Sequence, residues 1–152
     1  MLALLTGVKQ YFEVVSFVVY GSVARKEARK ESDIDILLVV EDSGDRYAAF
    51  KLFERAEQEL EPLIRRAEEE GYRIFFSPII KSREAASRIS PLYLDLVEDA
   101  VILYDTGDFF KTILEKLKTR LADLNAERVR IGKKWYWDLK RDYQFGERIE
   151  IE

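Results

Sequence analysis

Apolar residues recur at two different spacings along the chain, and each spacing predicts one kind of element. A spacing of three or four residues predicts helices over 2–12, 46–70, 82–99 and 109–126. Apolar runs rich in β-branched and aromatic residues predict strands over 14–20, 34–40, 72–80 and 101–104. This alternation of helices and strands predicts an α/β fold with a mixed or parallel sheet.

Three prolines interrupt the predicted elements, and the tail changes from helical spacing of its apolar residues to strand-like alternation. Pro62 predicts either a kink in the long helical segment or the start of a second helix. Ser90-Pro91 interrupts the segment 82–99, and Pro78 predicts that the third strand is a sheet edge or carries a bulge. Apolar and polar residues alternate over 135–140 and again at Ile149 and Ile151, which predicts strand structure in the tail.

The candidate chemistry lies where the first strand ends and the second begins. Gly21-Ser22 follows the first strand, and such a turn offers backbone N–H groups and a hydroxyl to a phosphate. Asp33 and Asp35 open the second strand, where their spacing places both carboxylates on one face. Adjacent carboxylates repel, and Mg²⁺ compensates their charge while binding substrate phosphates. The combination predicts a nucleoside triphosphate site.

Composition narrows the possible chemistry. The chain of 152 residues contains no Cys and no His, which excludes disulfides, zinc–thiolate sites and Ser-His pairs. Catalysis must therefore use carboxylates, hydroxyls, amines and a hard metal ion. The net charge of −4 does not favour nucleic-acid binding by bulk electrostatics. Because we find neither a long apolar run nor a signal peptide, we expect a cytoplasmic protein without a membrane span.

The order strand, Gly21-Ser22, ten-residue spacer, Asp33-Ile34-Asp35 and apolar strand resembles the nucleotidyltransferase fold of the DNA polymerase β superfamily. The resemblance is greatest to its minimal nucleotidyltransferase branch. It implies a mixed sheet flanked by helices, with residues 1–105 as the nucleotidyltransferase domain. We expect residues 106–152 to add a helix and an aromatic-rich tail packed on the same domain.

The resemblance also implies roles for individual residues. Gly21 and Ser22 would hold the terminal phosphates of ATP, and Asp33 and Asp35 would be the catalytic acids that bind Mg²⁺. Arg25, the first basic residue after Ser22, is a further candidate for nucleotide binding. Minimal members often act as antitoxins beside a helical partner of the HEPN class, and some transfer AMP from ATP to a tyrosine of that partner.

One departure from the family pattern leaves an alternative open. Family members commonly carry a third carboxylate on the next strand, but residues 72–80 contain no acid. The alternative function is therefore a catalytically degenerate, nucleotide-binding antitoxin subunit that acts by binding its partner. A plain structural α/β module is a third reading. The tail aromatics either close the core or anchor a partner or a second copy of the chain: Trp135, Tyr136, Trp137, Tyr143 and Phe145.

Overall fold

The computed structural model describes residues 1–25, 33–132, 134–140 and 144–151. Tyr143 and most of the spacer between Ser22 and Asp33 lie outside these residues. The helices are α1 (Leu2–Val8), α2 (Gly21–Ala24), α3 (Arg46–Gln58), α4 (Glu61–Glu69), α5 (Arg83–Ala86), α6 (Leu92–Asp99) and α7 (Phe109–Asp123). The strands are β1 (Val14–Tyr20), β2 (Ile34–Val40), β3 (Phe76–Ser82), β4 (Val101–Asp105), β5 (Glu127–Ile131) and β6 (Lys134–Asp138).

Four of the strands form a mixed sheet in the order β3-β2-β1-β4. Strand β1 runs antiparallel to both neighbours, whereas β2 and β3 are parallel. Every residue of β1 is buried, as expected for a central strand covered on both faces. The predicted mixed sheet with flanking helices is therefore confirmed.

The sheet separates two apolar layers. On one face, α1 and α3 pack against the sheet and bury residues such as Leu4 and Phe53 with Ile36 of β2. On the other face, α6 and α7 bury Tyr93 and Phe110 against residues that include Leu37 of β2. Because neighbouring residues of a strand point to opposite faces, Asp35 shares the face covered by α6 and α7.

The polar residue of the central strand is satisfied by an aspartate on the neighbouring strand. Ser16 is fully buried, and its hydroxyl donates a hydrogen bond of 2.6 Å to Oδ1 of Asp105. The same carboxylate accepts hydrogen bonds of 2.9 Å from the backbone N–H groups of Phe110 and Lys111. Asp105 thus fixes the start of α7 to the middle of the sheet.

Several predicted boundaries hold and others shift. Pro62 is the second residue of α4, so it starts a new helix rather than bending a long one, and Pro91 separates α5 from α6. Pro78 lies on β3, which is an edge strand as predicted. The range predicted for this strand was wrong, because the chain pairs with β2 over Phe76–Ser82 and not over 72–80.

The tail forms a hairpin: its second strand, β6, agrees with the alternation that begins at Trp135, whereas β5 was not predicted. Strands β5 and β6 pair with each other, while residues 144–151 contain no strand, so the predicted strand at Ile149 and Ile151 is wrong. Trp137 Nε1 donates a hydrogen bond of 2.8 Å to the carbonyl oxygen of Leu94 on α6. Trp137 also packs against the apolar layer of α6 and α7, whereas Tyr136 and Phe145 are exposed. The aromatic tail therefore closes the core through Trp137.

Among the described residues, no helix is both long and apolar enough to cross a bilayer.

Candidate active site

Three side chains form a row across the sheet where β1 ends and β2 and β3 begin. Tyr20 is the register partner of Asp35 on β2, and Asp35 is the register partner of Ser77 on β3. Register partners on neighbouring strands point to the same face of a sheet. Tyr20 is buried in the same apolar layer as Tyr93 and Leu96 of α6. The row of side chains therefore lies on the face of the sheet that α6 covers.

Gly21 lies directly against the carboxylate of Asp35. A Cβ atom built on Gly21 would lie 2.2 Å from Oδ2 and 3.2 Å from Cγ of Asp35. The backbone of Gly21 has a φ of 75°, which is the left-handed region that favours glycine. Both the contact and the backbone angle therefore require glycine here, and Ser22 follows it as a half-buried residue of α2.

The surroundings of Asp35 disfavour the charged form of its carboxyl group. Burial raises the pKa of the Asp35 carboxyl, the negative charge of Asp33 raises it further, and Arg25 opposes the shift. Both effects that raise this pKa make the charged form of Asp35 costly in the absence of a counter-ion. The structure thus brings all five predicted site residues to one end of the sheet: Gly21, Ser22, Arg25, Asp33 and Asp35.

Two carboxylates fit a magnesium ion whose remaining ligands are oxygens of water and substrate. Mg²⁺ is commonly held by one or two carboxylates together with waters and substrate phosphates. Across the described residues, no group of three or more Asp or Glu side chains is close enough to hold a metal ion. The β3 neighbour of Asp35 is Ser77, whose side chain is a hydroxyl. The site therefore offers Asp33 and Asp35 for a metal, with a neutral hydroxyl beside them.

Sequence reasoning gave no signal that α6 approaches the site. Helix α6 contacts both α2 and β1. Burial, followed by the negative charges of Asp35 and Asp95, raises the pKa of Tyr20 to about 12, so Tyr20 remains a neutral phenol at physiological pH. Asp95 is thus an acid on the α6 side of the site. Its position depends on where α6 packs in the fold. The spacing of apolar residues predicts a helix but not its packing partners.

The family model described as "Nucleotidyltransferase domain" matches residues 2–151. The chain belongs to this family. Its membership confirms the predicted nucleotidyltransferase class, and the match continues through the tail. Nucleotidyltransferases carry the enzyme activity that the candidate site was expected to provide.

A curated relative and two solved structures are similar to the chain. The relative, from Methanocaldococcus jannaschii, bears the name "Putative protein adenylyltransferase MJ1305" and is 27% identical over 135 residues, covering 84% of both proteins. A toxin-antitoxin crystal structure with AMP-PNP has a TM-score of 0.48 and 16% identity, covering 81% of this chain and 90% of that one. A structure of a tri-AMPylated Shewanella oneidensis HEPN toxin with its MNT antitoxin has a TM-score of 0.40 and 13% identity, covering 80% and 92%. Family membership rests on the domain match alone.

Proposed function

We propose that this nucleotidyltransferase transfers AMP from ATP to a hydroxyl group of a partner protein in a magnesium-dependent reaction. The observation that carries the proposal is the contact of Asp35 with Gly21, where burial and the charge of Asp33 raise the pKa of the Asp35 carboxyl. The name of the Methanocaldococcus jannaschii relative supports a protein as the acceptor.

Each site residue has a defined part in this reaction. Gly21 carries no side chain, so the terminal phosphates can approach the backbone beside Asp35. The Ser22 hydroxyl donates a hydrogen bond to a phosphate oxygen, and the Arg25 guanidinium adds positive charge near the triphosphate. Asp33 and Asp35 would hold a Mg²⁺ ion, which would supply positive charge to the transferred phosphoryl group and the departing pyrophosphate.

The partner that we propose is a helical protein of the HEPN class. This rests on the sequence resemblance to minimal nucleotidyltransferases, whose members often act as antitoxins beside such partners. The hydroxyl that receives AMP would then belong to that partner, and adenylylation would be the means by which the chain neutralises it.

A second candidate function is a nucleotide-binding antitoxin subunit without turnover. It is favoured by Ser77, because the strand position next to Asp35 offers no carboxylate to complete the metal site. In this case the chain would bind and inhibit its partner by contact. Replacing Asp33 and Asp35 would then leave neutralisation intact, since the acids would not contribute to it.

Incubation with α-labelled ATP, Mg²⁺ and the HEPN-type protein encoded nearest to this chain tests the proposal. We expect the wild-type chain to label the partner and the D33A/D35A variant to label nothing. A partner that both chains neutralise equally, without label, would establish the second candidate. The exposed variant Tyr47→Ala, on α3, serves as a matched surface control that should label the partner as wild type does.

A further inference from the structure

The hairpin of β5 and β6 has open strand edges. It contains two strands, and among the described residues no third strand pairs with it. Two-stranded sheets are marginally stable in water, and an unpaired edge is a template for pairing with another chain. The hairpin is held on α6, because Trp137 Nε1 donates its hydrogen bond to the carbonyl oxygen of Leu94 and Arg128 forms an ion pair with Asp99. It therefore presents its edges from a fixed position.

The backbone groups that β6 directs away from β5 belong to Trp135 and Trp137. In an antiparallel ladder, every second residue directs both its N–H and its C=O to the partner strand. Ile131 and Lys134 are register partners with two residues between them, so the turn places them in a hydrogen-bonded pair. The next residue of β6 that bonds to β5 is Tyr136. Trp135 and Trp137 thus offer two donors and two acceptors to a further strand.

The sequence of β6, Lys-Trp-Tyr-Trp-Asp, is complementary to itself in the antiparallel direction. With a two-fold axis at Tyr136, Lys134 of each copy lies opposite Asp138 of the other. Trp135 lies opposite Trp137, and these are the residues whose backbone groups face outward. Opposite charges and aromatic pairs directly across two strands stabilise their pairing, whereas like charges weaken it. Moving the axis by one residue, to Trp135 or to Trp137, would lose both ion pairs.

We propose that the chain forms a symmetric dimer in which the β6 strands of two copies pair antiparallel about Tyr136 and join the two hairpins into a four-stranded sheet. Each copy contributes the same surface, as a two-fold interface requires. The three even-numbered residues of β6 lie on the face turned away from α6, because Trp137 packs towards that helix. Tyr136, at the centre of this face, is 48% exposed.

A second charged pair on the same face also favours a cation from another copy. The register partner of Asp138 on β5 is Glu127, which is an acid as well. In the dimer, Lys134 of the second copy lies on the other side of Asp138. Two like charges that face each other within one hairpin thereby gain a neighbouring positive charge.

The outer edge of β5 lacks this complementarity. A two-fold axis at Val129 would place Arg128 of one copy opposite Arg130 of the other, and these like charges oppose pairing. The β6 edge is therefore the one that fits a second copy. Because five residues of each copy pair, against about 20–30 on each side of a standard interface, we expect a Kd of about 10–100 µM and a monomer in dilute solution.

Sedimentation equilibrium of the full chain, without nucleotide, tests the pairing. We expect wild type to dimerise with increasing concentration. Lys134→Asp and Asp138→Lys should each raise the Kd at least about tenfold, because each places like charges opposite each other twice. The double variant K134D/D138K exchanges the two charges and should dimerise as wild type does. Lys118→Asp makes the same charge change at an exposed residue of α7 and should leave the Kd unchanged.

A mixture of the two single variants gives a second readout, which does not depend on how either variant behaves alone. In a mixed pair, one copy carries negative charge at both positions and the other carries positive charge at both, so each contact is again an ion pair. We expect mixed dimers to form with a Kd near that of wild type.

Three results would each overturn the proposal. They are a wild type that stays monomeric at about 1 mM, which would leave the β6 edge to a different partner, single variants that dimerise as wild type does, and a double variant that stays monomeric. Because ATP and Mg²⁺ are absent from the experiment, these results leave the proposed function untouched.

Discussion

The Cα of Gly21 faces the carboxylate of Asp35 so closely that a methyl group on Gly21 would lie 2.2 Å from Oδ2. Gly21 follows β1, and Asp35 is the second residue of β2; they come together because Tyr20 and Asp35 are register partners in an antiparallel pair. The Gly-Ser turn and the aspartate pair, separated by a long spacer in the sequence, are thus adjacent parts of one site.

Gly21→Ala should abolish magnesium-dependent ATP binding and destabilise the fold. The new methyl group collides with Asp35, and the left-handed backbone alone costs about 1–2 kcal/mol for a residue with a Cβ. Thermal denaturation measures the stability and calorimetry the binding.

The matched control for this variant is Gly44→Ala. Gly44 also has a positive φ, of 56°, but a Cβ there would meet nothing within 4 Å. It should lose a similar amount of stability from the backbone and bind ATP as wild type does. Equal ATP affinity in the two variants would contradict the contact between Gly21 and Asp35.

The raised pKa of Asp35 predicts how the stability of the folded chain depends on pH when no metal ion is present. Its folded pKa lies above its ordinary value near 3.8, so the folded chain holds this proton more tightly than the unfolded chain does. The stability contributed by the protonated form is therefore lost as pH rises through that raised value. At neutral pH with EDTA, Asp35→Asn should raise Tm, and the difference should disappear below pH 3.8, where both states are protonated.

Magnesium should make wild type more stable than the Asp35→Asn variant, the reverse of the order expected in EDTA. A cation that binds the folded state alone raises its stability, and wild type offers it two carboxylates. Added Mg²⁺ with ATP should increase the Tm of wild type and leave that of Asp35→Asn nearly unchanged. An Asp35→Asn variant that is less stable than wild type at neutral pH in EDTA would show that the Asp35 charge stabilises the fold.

Trp137→Ala should unfold the chain at lower denaturant concentration, because it removes the hydrogen bond to Leu94 and the packing of the hairpin. The expected loss is about 2–4 kcal/mol by urea denaturation. Tyr136→Ala changes the adjacent residue on the opposite, exposed face of β6, and should stay within about 0.5 kcal/mol of wild type. Similar losses in both variants would contradict the account of the tail.

The sequence predicts the residues of the candidate site where its chemistry depends on neighbouring residues. The glycine before Ser22 and the spacing of Asp33 and Asp35 have direct physical meanings: close backbone approach and carboxylates on one face. The apolar run after Asp35 likewise indicated a strand covered on both faces, which the structure confirms for Leu37 and Leu38.

Pairings between distant segments could not be predicted in this way. Ser77 lies beside Asp35 only because β3 is parallel to β2 in this register, and a one-residue shift would turn it to the other face. The polar strand β5, with the sequence Glu-Arg-Val-Arg-Ile, has too few apolar residues to stand out. Its position depends on Arg128, which forms a 2.6 Å ion pair with Asp99 on α6.

Titration of the wild-type chain with ATP, with and without Mg²⁺, tests the central claim most directly, with the D33N/D35N variant as the comparison. Asparagine keeps the size of each side chain and removes the charge that a hard cation needs. We predict that wild type binds ATP only when Mg²⁺ is present and that the variant does not bind it under either condition. Equal ATP affinity of the two proteins in Mg²⁺ would contradict the account.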